Sequence, residues 1–263
     1  MKLDQSNSKS LENIYISPLE LCNLSCLYCY THKTKSILTN SQILDFVKNY
    51  NSELITRNSK LKSIIFCGGE VFTLPKFTNL VNQLLSQNIF ISIITNGTID
   101  KLDEISEPHN CQLIVSFDGP EQIHDQNRGE GNFAKSKAFV EHALSLGFPV
   151  EIFYLVTKDS YPHFKTFQLF DLHITYLTDR LGSLTREQVS EIRQNYPCYP
   201  PKDFGCNIFS LQSDGKFYGC CESTRSIGSL TDPLDKILAK YTDIITQHPL
   251  CSDPNYWCDL KPQ

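Results

Sequence analysis

Six short runs rich in Ile, Val, Phe and Tyr recur along the chain's first two thirds, with helical stretches between them. That alternation constrains the fold more than any other feature, because strand–helix–strand units with parallel strands build an open or partial α/β barrel. The runs are 13–17 (NIYIS), 63–66 (SIIF), 90–94 (FISII), 113–117 (LIVSF), 150–156 (VEIFYLV) and 173–177 (HITYL). Residues 41–56 put Ile43, Phe46, Val47, Tyr50 and Leu54 on one helical stripe, with Asn40 or Ser41 as N-cap. Residues 77–85 and 133–146 pattern alike, and Gly147 stops the second. In such sheets ligands gather where the strands end, at the C-terminal edge.

After about residue 180 the pattern changes. Residues 184–194 read as a helix, followed by a Cys- and Pro-rich stretch. IFSLQ and KFYG then flank Ser213-Asp214-Gly215, a hairpin signal in which Asp-Gly supplies the positive-φ positions. Residues 234–246 read as a last helix. The expected organisation is a polar, disordered stretch over 1–12, a barrel core over 13–180, and a small Cys-rich hairpin-and-helix extension over 181–263.

Composition narrows the function classes. No apolar run approaches the ~20 residues of a membrane span. The polar start, MKLDQSNSKSLE, lacks a signal peptide's apolar region, so a cytoplasmic location is expected. The net charge of −5 gives no global attraction to nucleic acid or anionic lipid, and neither is expected as a partner. With no secretory signal, the 11 cysteines read as metal ligands or catalytic thiols rather than disulfides.

Just after the first strand stands Cys22-Asn-Leu-Ser-Cys26-Leu-Tyr-Cys29, a C-x3-C-x2-C array. Structural zinc wants four ligands, so a zinc knuckle would borrow its fourth from afar. Three close cysteines suit a 4Fe–4S cube, leaving one iron without a protein ligand. The array, including the aromatic Tyr28 before its last cysteine, resembles that of radical S-adenosylmethionine (SAM) enzymes. In that family the open iron is chelated by the amino and carboxylate groups of SAM. An electron from the cluster then releases a 5′-deoxyadenosyl radical, which abstracts hydrogen from a substrate C–H bond. The fold the resemblance implies is a partial (β/α)6 TIM-like barrel.

Three strand-end motifs extend the likeness. Cys67-Gly68-Gly69-Glu70 looks like the family's Gly-Gly-Glu, which holds the SAM amino group; by itself Gly-Gly is a turn. Thr95-Asn96-Gly97 makes Asn96, with Thr95, a candidate near SAM. Ser116-Phe-Asp118-Gly119-Pro120, His124-Asp125 and Arg128 are similar to a stretch of sulfatase-maturase-like members, which implies that Ser116 and Arg128 contact the ribose and carboxylate of SAM. A guanidinium fork suits a carboxylate. His124 and Asp125 read as helix-start capping or local pairing. Cys67 and Cys111, which flank strands, read as buried small apolar residues.

A second cysteine group, Cys198, Cys206, Cys220, Cys221, Cys251 and Cys258, occupies the last third. Gly215-x4-Cys220, with Cys206 upstream, resembles the start of a SPASM or Twitch extension, which binds auxiliary iron–sulfur clusters. The closing C-x6-C pair departs from the full SPASM pattern. One auxiliary 4Fe–4S cluster on Cys206, Cys220, Cys251 and Cys258 is therefore expected; Cys198 or Cys221 could substitute, and a zinc site on the same residues is the alternative. The middle of the chain favours a peptide or protein substrate, and the short extension a small molecule. A reductant such as flavodoxin or ferredoxin is the other implied partner. Candidate bases are Asp159, Asp171, Asp179 and Glu222. A non-catalytic iron–sulfur or zinc carrier would leave the Gly-Gly-Glu and Ser-x-Asp-Gly motifs without a purpose.

Overall fold

The computed structural model describes residues 11–31, 33–198, 208–220, 223 and 225–247. Its centre is a parallel sheet of β1 (Asn13–Ser17), β2 (Ser63–Phe66), β3 (Phe90–Thr95), β4 (Cys111–Phe117), β5 (Val150–Val156) and β6 (Ile174–Thr178). Each of these strands pairs in parallel with the next in sequence. Crossovers run through α1 (Asn40–Thr56), α2 (Phe77–Leu85) and the pair α3 (Glu121–Arg128) and α4 (Asn132–Ser145). This is the expected α/β architecture, and the boundaries agree to within a few residues.

The sheet continues past β1. β7 (Ser210–Gln212) pairs with β1 in parallel, then turns into antiparallel β8 (Lys216–Tyr218) and β9 (Ser226–Ser229). The strand order is β6-β5-β4-β3-β2-β1-β7-β8-β9. The hairpin and α6 (Leu234–Gln247) thus share a core with the barrel. Phe46 and Tyr50 of α1 pack on Phe217 and Phe209, and Tyr241 of α6 meets Phe209 edge-on. All five rings are buried, each worth roughly 1.5–3 kcal/mol of transfer free energy. The Tyr50 hydroxyl donates to the Leu11 carbonyl at 2.8 Å, so its one polar atom is satisfied. α5 (Arg186–Asn195) packs Ile192 against the Tyr154–Phe164–Tyr176 cluster beyond β6.

Several local expectations are corrected. The N-cap of α1 is Thr39, not Asn40 or Ser41. Thr39 and Gln42 form a reciprocal capping box, each side chain accepting from the other's backbone N–H. The expected helix over 133–146 is preceded by a separate one, α3, and Asp125 caps the second by accepting from Gly131 N and Phe133 N, both at 2.7 Å. In the hairpin only Gly215 has positive φ, at 74°; Asp214 does not. Gly215 N donates to Gln212 O at 2.9 Å, the three-residue loop in which a turn is followed by one left-handed glycine.

Thr39→Ala removes half of that capping box. Urea unfolding is expected to show a loss of about 1 kcal/mol, and Ser41→Ala a markedly smaller one.

Candidate active site

The C-terminal ends of the parallel strands enclose a cavity of about 200 Å³. Cys22, Cys26 and Cys29 line it from the loop after β1. Cys67, Gly68 and Gly69 line it after β2, Thr95 and Asn96 at the end of β3, Ser116 on β4, and Phe153 and Leu155 on β5. Leu177 and Thr178 of β6 close the far side. On β5 the lining residues Phe153 and Leu155 alternate, as side chains on one face of a strand do.

Backbone contact brings the cysteine loop to this edge. Gly69 N donates to Leu19 O at 2.9 Å, and Glu70 N to Leu21 O at 3.0 Å. A Cβ on Gly69 would stand 1.9 Å from the Leu21 carbonyl oxygen, and one on Gly68 2.2 Å from that of Leu19. The glycines therefore let the segment before Cys22 lie on the loop after β2. Farther along, Asn127 holds the turn between Cys26 and Cys29. Its carbonyl accepts from Leu27 N at 3.0 Å and its side-chain Oδ1 from Tyr28 N at 3.3 Å. The Tyr28 hydroxyl donates to Asp159 Oδ2 at 3.1 Å.

The Asn127 amide also donates to Asp118 Oδ2. The other oxygen of Asp118 accepts from Arg128 Nη2 at 2.7 Å. Asp118 is fully buried, and the ion pair carries Arg128 to the cavity wall. Burial works against the Arg128 charge, but the Asp118 carboxylate more than offsets it and the guanidinium stays firmly protonated. Among the described residues, Arg128 Nε is buried with no hydrogen-bond partner. Beneath, His124 is buried between Phe117 and Phe133, and burial with the nearby Arg128 charge pulls its pKa down to about 4.

Glu70 stands differently from the expectation for it. It is fully buried and does not line the cavity. Its carboxylate accepts from Thr95 Oγ1 at 2.9 Å, Asn96 N at 2.8 Å and Phe72 N at 3.2 Å, tying the β2 loop to the end of β3. Burial raises its pKa against those hydrogen bonds. Cys67 is also corrected: it is half-buried and faces the cavity. Cys111 is buried as expected, its thiol pushed up to about 12 by desolvation. Sequence reasoning assigned no role to Asn127, Asp118 or Arg180. The Arg180 guanidinium lies 3.7 Å from the centre of the Tyr30 ring at the cavity edge.

The donor set fits an iron–sulfur cube with a bound sulfonium amino acid. Cys22, Cys26 and Cys29 are free thiols on one wall, and burial raises the pKa of the first two. Among the described residues, no three His, Cys, Asp or Glu side chains converge as a single metal ion would require. A cube makes another demand, since each thiolate takes its own iron and the sulfurs surround a volume. Arg128, at the cavity wall, carries a guanidinium, a group suited to a carboxylate. Of the second cysteine group, Cys220 is buried at the end of β8. Cys198 packs beside β6, bridged to Tyr176. Cys206, Cys221, Glu222, Cys251 and Cys258 lie outside the described residues.

Comparison with known proteins identifies the family. The family model for the Radical SAM superfamily matches residues 16–166. The chain belongs to the radical SAM superfamily. It is 29% identical over 126 residues to the radical SAM cyclopropyl synthase TigE of Paramaledivibacter caminithermalis, covering 39% of this chain and 26% of TigE. It is 26% identical over 142 residues to the antilisterial bacteriocin subtilosin biosynthesis protein AlbA of Bacillus subtilis, covering 50% of this chain and 31% of AlbA. The matched regions thus span about a third or less of these curated relatives. The fold is similar to that of anSMEcpe, solved with bound AdoMet and Cp18Cys peptide. The TM-score is 0.71, the identity 21%, and the match covers 89% of this chain and 82% of that one. Family membership implies SAM and a 4Fe–4S cluster as cofactors. Among the described residues, no helix is long and apolar enough to cross a membrane.

The His124 shift has a measurable consequence. The unfolded chain binds a proton at His124 near pH 6.5, the folded chain only near pH 4, so acidification through that window favours unfolding. Stability at pH 7 is expected to exceed that at pH 4 by up to about 3 kcal/mol from this residue. In His124→Phe, urea unfolding at the two pH values should lack that component.

Proposed function

We propose that this chain is a radical SAM enzyme that modifies a side chain of a peptide or protein. The observation that carries the reading is one cavity whose wall holds three free cysteines together with an arginine whose charge a buried aspartate secures. When bound, the cluster supplies an electron to SAM, which yields a 5′-deoxyadenosyl radical able to take a hydrogen atom from a substrate C–H bond.

The chain's own residues do the binding and orienting. Cys22, Cys26 and Cys29 ligate the irons. Arg128, its charge secured by Asp118, pairs with the SAM carboxylate from the cavity wall. Ser116 lies across the cavity as a ribose contact. Gly68 and Gly69 leave the strand-end backbone open to the amino group, with Glu70 acting from behind by fixing Thr95 and Asn96. Phe153, Leu155 and Leu177 supply an apolar wall, which excludes water from a reactive radical. Asn96 and Tyr28 border the same space.

The peptide reading is supported by two similarities: AlbA takes part in the biosynthesis of a bacteriocin, and anSMEcpe was solved with a peptide bound. We assign the core to residues 13–180 and the extension to 181–263. One auxiliary 4Fe–4S cluster on Cys206, Cys220, Cys251 and Cys258 belongs to this proposal, as does an external one-electron donor such as flavodoxin or ferredoxin.

The test is anaerobic reconstitution with iron and sulfide, followed by dithionite and SAM. Formation of 5′-deoxyadenosine is expected, and its absence from a chain with a full cluster would refute the reading. Cys26→Ala should abolish formation altogether. Cys67→Ala should retain most of it, since Cys67 belongs to the β2 loop and not to the array.

A further inference from the structure

We infer that Asn96 is a hydrogen-bond donor to the Cys22 sulfur and thereby raises the reduction potential of the cluster bound there. The inference rests on the proposed SAM–cluster site and gives Asn96 a role besides that of nucleoside neighbour.

The orientation of the amide is fixed by its surroundings. Asn96 Oδ1 accepts from Thr98 N at 2.9 Å and from Thr98 Oγ1 at 2.6 Å. A backbone N–H can only donate, so the amide atom facing Thr98 is the oxygen. The NH2 group is left on the opposite side. There it meets Asn23 Oδ1 at 3.0 Å and Cys22 Sγ at 3.7 Å. Asn23 is itself held, its Nδ2 donating to Thr98 Oγ1 at 2.8 Å. The Asn96 backbone is held through its N–H to the fully buried Glu70. Leu24 N brings a second donor to the same sulfur at 3.3 Å. The Cys22 sulfur therefore faces two N–H groups, one from its own loop and one carried by β3.

The electrostatic effect has a definite sign. Reduction of a cluster adds negative charge, part of which resides on the thiolate sulfurs. A fixed donor stabilises the more negative state more strongly, and hydrogen bonds to sulfur are among the groups that set these potentials. Removing the Asn96 amide should lower the potential. Replacing it with a carboxylate should lower it further, because an anionic oxygen would then face the sulfur and Asn23 Oδ1.

The experiment is an anaerobic redox titration, read by electron paramagnetic resonance, on the full chain reconstituted with iron and sulfide. The signal followed is the one that changes when SAM is added, which separates this cluster from any other. Wild type, Asn96→Ala and Asn96→Asp are compared, with iron content and SAM affinity by equilibrium dialysis alongside. The midpoint should fall in Asn96→Ala and fall further in Asn96→Asp, with iron retained. A wild-type midpoint in Asn96→Ala overturns the inference; if SAM affinity drops there at the same time, Asn96 is a nucleoside contact only. Should Asn96→Ala fail to hold the cluster, Thr98→Val decides. It removes the hydroxyl that braces both amides, and a smaller fall in the same direction is expected, an unshifted midpoint overturning the inference. If the wild type shows no SAM-responsive signal, the proposed function fails and this inference with it.

Discussion

One buried carboxylate organises the site. Asp118 gives one oxygen to Arg128 and the other to Asn127. Through Arg128 it places a fixed positive charge at the cavity wall; through Asn127 it fixes the turn between Cys26 and Cys29. A buried ion pair of this kind adds little net stability against an apolar alternative, yet removing one partner costs about 3–5 kcal/mol because the other is left charged and dry. Its worth here is positional. The same group sets the distance between the cysteine turn and the arginine that faces it.

Around that carboxylate the other restraints are of backbone type and demand little of side-chain identity. The Gly68–Gly69 contact with Leu19 and Leu21 has room for no Cβ, so sequence is restricted there by exclusion. Glu70 links the β2 and β3 ends from within the core. Three strand ends are thus joined before any ligand arrives, which lowers the ordering cost that binding must meet.

Legibility of the sequence follows from which signals are local. Parallel strands covered on both faces read as runs of Ile, Val and Phe, so β1 to β6 were plain to see. The polar helix α3 was not, because only His124 and Asn127 of its eight residues are buried and no apolar stripe marks it. Strand β9, spelled Ser-Ile-Gly-Ser, has no strand signature and exists through its pairing with β8. At α1 three successive residues can cap, and only the reciprocal bond with Gln42 selects Thr39. The cysteine array and the strand-end motifs were legible through resemblance. Orientation was not: the sequence places Glu70 at the site, but only packing turns its carboxylate inward. Asn127 was hidden beside Arg128, since its importance lies in a contact with residues about a hundred positions earlier.

The most direct test of the central assignment is hyperfine spectroscopy of the reduced, reconstituted protein with SAM labelled by 15N at the amino group and 17O at the carboxylate. Coupling of both labels to the cluster spin is predicted, because the proposed ligation by Cys22, Cys26 and Cys29 would leave one iron open to receive them. A fully assembled cluster that shows neither coupling at saturating SAM would contradict the assignment.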